Sequence, residues 1–181
     1  MLETNHSPHK HELLFDSLVE LLNTTSFDKI SIQELCQLSG VSRMYYYRHY
    51  NNLEDIIRKK LDVLFADYCH EVASIHENDK LTTALLFFKT FRPFHRELLI
   101  LWRADLGYLI KHAFKEYLDT MAKEGILEAI KPTMYRYWQS YVTSGLYEVL
   151  MTWVQSGSKE SDYEMTQTVY HITRNFVHTL A

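Results

Sequence analysis

Between Ser31 and Tyr50 the sequence writes two helix starts and one helix stop. Ser31 stands three residues before Glu34, the S-x-x-E pattern of a capping box, so a helix is expected to open at Ile32. Ile32, Leu35, Cys36 and Leu38 give that helix an apolar side. Gly40 is free to take positive φ and end it. Val41 is apolar and falls at the angle between two helices, and Ser42 is a good N-cap for the second. In that second helix Tyr46 and Tyr50 are four apart and are expected to face inward. Arg43, Met44, Tyr45, Tyr47 and His49 fall on the remaining surface. Two short helices joined by a glycine-containing turn make the DNA-binding helix-turn-helix pattern, with the second helix as reader.

The outward residues have the chemistry for that task. Arg43, near the start of the reader helix, can place a bidentate fork on a guanine edge. Tyr47 and His49 can donate to phosphate oxygens, which positions a protein without reading sequence. Met44 and Tyr45 can touch thymine methyls or sugar edges. Helix N-termini add outward N–H groups and positive dipole, which also suit phosphate.

The run Phe27-Asp-Lys-Ile-Ser-Ile-Gln-Glu-Leu-Cys36, then Gly40-Val-Ser-Arg43, Tyr46-Tyr-Arg-His-Tyr50 and Glu54-Asp-Ile-Ile57, resembles the N-terminal domain of the TetR family of transcriptional regulators. The resemblance spans about fifty residues and includes the family's aromatic–Tyr–x–His/Tyr–aromatic signature at 46–50. It implies phosphate contacts at Ser31, Ser42, Tyr47 and His49, and operator choice at Arg43, Met44 and Tyr45. The chain departs from the family at Leu53, where many members carry a lysine, and at Tyr45, where the residue is often small.

Five glycines and three prolines in 181 residues leave few places to break a helix. With 46% hydrophobic and 14% aromatic residues, the chain can fill a sizeable core. Net charge is −4, and residues 1–60 carry seven Lys/Arg against eight Asp/Glu. A general basic footprint is therefore absent, and the positive field is local to 42–50, which holds two arginines, a histidine and no acid. So small a patch binds DNA weakly on its own, which favours a reader that works in pairs. Cys36 and Cys69 have no spacing that suggests a bridge and read as reduced, buried small hydrophobes of a cytoplasmic protein. No signal-peptide pattern opens the chain, and no apolar run reaches membrane-span length.

The periodicity predicts an all-α fold with helices at about 9–23, 32–39, 43–50, 53–75, 81–91, 94–102, 105–122, 133–155 and 162 onward. Residues 1–52 are expected to form a three-helix DNA-binding domain, with the motif at 31–50. Residues 53–181 are expected to form a helical effector-binding and dimerisation domain. Asn52 and Asp55 cap a long fourth helix that starts in the DNA-binding unit and ends elsewhere, a mechanical link. Arg58, Lys59 and Lys60 near its start can form a solvated face or attract the DNA backbone at range.

The last two helices supply the dimer expectation. Trp138, Tyr141, Val149 and Trp153 leave the eighth helix few polar positions, and Ser140, Ser144 and Gly145 permit close helix approach. Val169, Ile172, Phe176 and Leu180 recur at helical spacing in the ninth, a face that needs a partner. Two such helices from each of two chains make a four-helix interface about a two-fold axis, or else an intramolecular core. The pattern from Trp138 to Met165 also resembles the C-terminal region of one branch of TetR-like regulators, more loosely than the N-terminal match. The resemblance implies a homodimer on a palindromic operator and a small-molecule effector, of unknown identity, held by helices four to seven. Phe87, Phe91, His95, Trp102, Tyr108 and His112 are the aromatic supply for that pocket.

His6, His9 and His11 cluster, and Cys69, His70 and His76 lie close in sequence, but neither set has the ligand types and faces of a metal site; no metal or cofactor is expected. No G-x-S-x-G, P-loop or dinucleotide fingerprint occurs, so the chain is not expected to be an enzyme. The leading expectation is a repressor released from its operator by a small molecule. The alternative keeps the fold as a coactivator or adaptor that binds a partner protein or metabolite.

Overall fold

A computed structural model describes residues 7–75, 79–126 and 131–179, with backbone alone for 7–8 and 175–179. The described chain is helical: α1 (Ser7–Leu22), α2 (Ile32–Ser39), α3 (Arg43–His49), α4 (Leu53–Ala73), α5 (Lys80–Phe91), α6 (His95–Arg103), α7 (Gly107–Lys123), α8 (Pro132–Gln155) and α9 (Asp162–Thr179). Three-residue 3-10 turns stand at Phe27–Lys29 and Arg92–Phe94. The all-α expectation holds, and no strand occurs among the described residues.

The helix ends obey their caps. Ser31 accepts from the Glu34 N–H at 3.2 Å while the Glu34 carboxylate accepts from the Ser31 N–H at 3.0 Å, a complete capping box. Those bonds to Ser31 hold the Glu34 carboxyl below the usual carboxylate range. Gly40 ends α2 in the left-handed region at φ 68. Ser42 caps α3 through the Tyr45 N–H, and Asn52 caps α4 through the Asp55 N–H. The same S-x-x-E signature opens α9, where Ser161 and Glu164 repeat the reciprocal pair.

Packing follows from which faces are apolar. Leu14 and Leu18 of α1, Leu35, Val41, Tyr46 and Ile56 and Ile57 of α4 form one buried cluster that holds the first three helices. Farther along α4, Leu61, Leu64, Phe65, Tyr68 and Val72 turn into the second half. There Phe65, Phe87, Phe91 and Phe114 meet ring to ring, with centroids 4.7 to 5.7 Å apart. Geometries of this kind add to simple area burial. α4 thus runs along one continuous core, packing on α1 near its start and on α5 and α7 farther along.

The α8–α9 connection is held by one arginine. Arg92, in the turn that Pro93 forces between α5 and α6, reaches the Asp162 carboxylate at 2.6 Å, the Glu160 carbonyl at 2.6 Å and the Ser158 carbonyl at 3.2 Å. Its guanidinium lies 4.7 Å from the ring centroid of Trp153. Trp153 is buried against Phe88 and donates its indole N–H to the Glu160 carbonyl. Across α7 and α8, the Asp119 carboxylate accepts from Gln139 at 2.7 Å and from the Tyr135 hydroxyl at 2.9 Å. This pairing lets Gln139 sit buried inside the body.

Candidate nucleic-acid interface and the cavity behind it

α3 divides its seven residues cleanly. Tyr46 and Tyr50 are buried, their rings 5.6 Å apart, and burial pushes the Tyr46 hydroxyl up to about 12. Arg43, Met44, Tyr47 and Arg48 share the outward face and all are exposed, Met44 at 72% and Tyr47 at 64%. A methionine and a tyrosine thus stand exposed on a short capped helix. Arg48 is a residue the sequence-based site set omits. Its signal is its spacing, since it falls four residues after Met44 on the same face.

Tyr45 and His49 stand apart from that face. Both are half-buried, their rings tilted against each other with centroids 4.2 Å apart, and the Lys10 ammonium lies 4.9 Å over the Tyr45 ring. They form the flank of the reader helix toward α1. Ser31 and Ser42 are exposed at the two helix starts, where their hydroxyls already serve as caps.

The basic residues at the start of α4 are engaged within the protein. Arg58 pairs with Glu54 at 2.9 Å and Lys60 with Glu12 at 2.6 Å. Lys59 donates to the His49 carbonyl at 2.6 Å and lies 4.5 Å over the Tyr50 ring. A cation on the last carbonyls of α3 is the favourable sign for a helix C-terminus. Lys59 thus braces the end of α3, while Arg58 and Lys60 are paired with carboxylates of α4 and α1.

One link joins this unit to α7. The Tyr108 hydroxyl donates to the Glu54 carboxylate at 2.5 Å. Tyr108 first and Arg58 next hold that carboxyl below its usual range. His11 braces α3 from the other side, its Nδ1 2.7 Å from the Tyr50 hydroxyl.

Behind the reader, a cavity of about 430 Å³ lies among α4, α5, α7, α8 and α9. Tyr68, Phe87, Phe88, Tyr117, Leu118 and Met121 make its inner wall. Trp138, Val142 and Leu146 of α8 and Val169 of α9 close the far side, and Lys80 stands at the edge. Of the six aromatic residues expected around an effector, Phe87 lines this space. Phe91 is buried in the ring cluster beside it. His95 turns its Nδ1 to the Arg92 carbonyl at 2.9 Å, Trp102 is 40% exposed, Tyr108 is committed to Glu54, and His112 is exposed at the edge of Tyr108. The cavity is thus walled by α8 and α9 in place of α6.

The residues expected at a dimer interface separate in the same way. Tyr141 and Gly145 are exposed on one face of α8, shared with Met134 and Tyr137, and Ile172 of α9 is exposed. Val149 is half-buried, Trp138 and Val169 border the cavity, and Trp153 is 2% exposed inside the chain, unavailable to a partner. The Phe176 side chain and Leu180 lie outside the described residues, as do His6 and His76. Among the described residues no three His, Cys, Asp or Glu side chains gather as a metal group, and no helix is long and apolar enough to cross a membrane.

The sequence matches no family model. It matches no curated protein either. Solved structures do match the fold. Lin0861 from Listeria innocua superposes with a TM-score of 0.80 over 97% of this chain and 96% of its own, at 13% identity. The fatty acid degradation regulator FadR from Bacillus halodurans gives 0.57 over 90% and 93%, at 16% identity. The dihydroxyacetone kinase operon activator DhaS gives 0.56 over 96% and 97%, at 12% identity. The chain shares its all-helical fold with these three proteins, two of which are described as a regulator and an operon activator.

Proposed function

We propose that the protein is a TetR-like DNA-binding transcriptional regulator, a repressor that leaves a palindromic operator when a small molecule occupies the cavity. The observation that carries this reading is the outward face of α3, where Arg43, Met44, Tyr47 and Arg48 are exposed on a helix held from beneath by Tyr46 and Tyr50. Residues 1–52 form the DNA-binding unit in this reading, and 53–181 hold effector and partner. The exposed face of α8 from Met134 to Gly145 supports a homodimer, which places two readers on one two-fold operator. The chain acts by binding and catalyses nothing.

The test is binding of the full chain to its own upstream DNA across a salt series. A regulator shows a preference for that DNA over random sequence and an affinity that falls steeply with salt. No preference at low salt overturns the reading. A second reading, a coactivator or adaptor on the same fold, is favoured by the engagement of Arg58, Lys59 and Lys60 within the protein. It predicts weak, sequence-indifferent DNA binding in the same experiment.

A further inference from the structure

The cavity behind the reader has a one-sided chemistry. Its wall is aromatic and aliphatic, and the phenols in it are already satisfied. The Tyr117 hydroxyl donates to that of Tyr68, and Tyr68 donates to the Thr83 carbonyl at 3.0 Å. Burial first raises the pKa of both phenols, so they stay neutral. The Thr83 hydroxyl is taken by the Asp79 carbonyl. What remains is an apolar surface that asks nothing polar of the body of a ligand.

The rim differs. Lys80 is the exposed member of the lining, so it marks the mouth. It makes no ion pair among the described residues, and no carboxylate lines the space among them. Asp79, its neighbour, is held anionic by the bonds it accepts from the Thr82 hydroxyl and the Leu81 N–H, which turn its carboxylate onto the first turn of α5 and leave it outside the lining. The positive end of the α5 dipole opens on the same side. A positive side chain at the mouth of an apolar space selects an apolar molecule with one anionic end, and it penalises a cationic one.

We infer that the cavity binds an amphiphile with an apolar body and a single anionic head, seated with the head at Lys80. This rests on the effector reading above and adds the class of molecule. At about 30 Å³ per non-hydrogen atom, the liquid share of one water, 430 Å³ holds on the order of fourteen such atoms. Dodecanoate has that size and is the probe.

The experiment is calorimetric titration of the full chain, without DNA, with dodecanoate, dodecanol and dodecylammonium below their aggregation limits. Dodecanoate is expected to bind one per chain, roughly tenfold tighter than dodecanol, a difference of about 1.4 kcal/mol, and dodecylammonium weakest. Lys80→Met should bring dodecanoate down to the dodecanol affinity while leaving dodecanol unchanged. Ala84→Trp, at a half-exposed position on the lining, should fill the space and remove binding of all three. The head-group comparison on the unaltered chain needs no variant to fold. No dodecanoate binding, equal binding of dodecylammonium, or full binding to a folded Ala84→Trp chain each overturns the inference. Because DNA is absent, a failed operator experiment leaves this result standing, and a failure here leaves the reader helix untouched.

Discussion

Replacing Arg92 with lysine keeps a positive charge and loses most of what the residue does. The guanidinium reaches one carboxylate and two carbonyls of the α8–α9 connection at once while it covers the Trp153 ring. An ammonium has no planar fork to span them. Arg92→Lys is therefore expected to lower the unfolding free energy by about 1–3 kcal/mol, the range for hydrogen bonds to charged groups, and urea denaturation reads it. Unaltered stability would show that the clasp contributes nothing. On α3 the residue roles differ by partner. Arg43→Ala should weaken operator binding by about 1–3 kcal/mol and relax sequence choice, whereas Tyr47→Phe should weaken cognate and random DNA alike. Competition binding with both DNAs separates the two, and matching losses from both variants would sink the assignment.

The element that carries the reader is braced by α1, and the brace depends on pH. Burial lowers the His11 pKa from the usual 6.5, Glu12 opposes that, and Lys60 and Lys59 add to it. The unfolded chain therefore takes up this proton at a higher pH than the folded chain does. Stability is unaffected above 6.5, falls as pH drops from there to the folded value, and levels off below it. His11→Phe removes the Tyr50 contact at every pH but flattens the slope between pH 7 and 5.5. Denaturation at both pH values checks this, and an unchanged slope would remove His11 from the account. Local rules made α3 legible in the sequence, because Ser31, Glu34, Gly40, Ser42 and the Tyr46–Tyr50 spacing act within one or two turns. The cavity was not legible in the same way. Whether an aromatic side chain lines a space or packs beside it depends on how helices cross, and periodicity is silent on that. So Phe87 reaches the cavity while Phe91, one turn on, enters the ring cluster. His95, Trp102, Tyr108 and His112 lie outside that lining, and the far wall comes from the helices the sequence reserved for a partner. Trp153 was withdrawn from the surface by Arg92, a partner more than fifty residues away in sequence.

At the scale of the whole molecule, α4 is the shared part. Its C-terminal stretch puts Tyr68 into the cavity wall, and its first turns carry Glu54, which accepts from the Tyr108 hydroxyl, and Lys59, which donates to the His49 carbonyl at the end of α3. A ligand changes DNA affinity only if it binds two arrangements of the chain unequally. Tyr68 gives it a direct contact on α4, and the Tyr108–Glu54 bond gives α7, which also lines the cavity through Tyr117 and Leu118, a second hold on the start of the same helix. In the proposed function, a displacement of α7 against α4 is expected to reach α3 through Lys59, which donates to the His49 carbonyl. Tyr108→Phe removes the second hold and leaves the cavity wall and the outward face of α3 intact. It is expected to leave operator affinity without ligand nearly unchanged while reducing the ratio of affinities without and with dodecanoate, from a value in the roughly 5–150-fold range of such couplings toward unity. Operator titrations at zero and saturating dodecanoate measure that ratio. An unchanged ratio would mean that α4 carries the signal through Tyr68 alone; a loss of operator affinity without ligand would instead make Tyr108 a support of the reader and no part of the coupling.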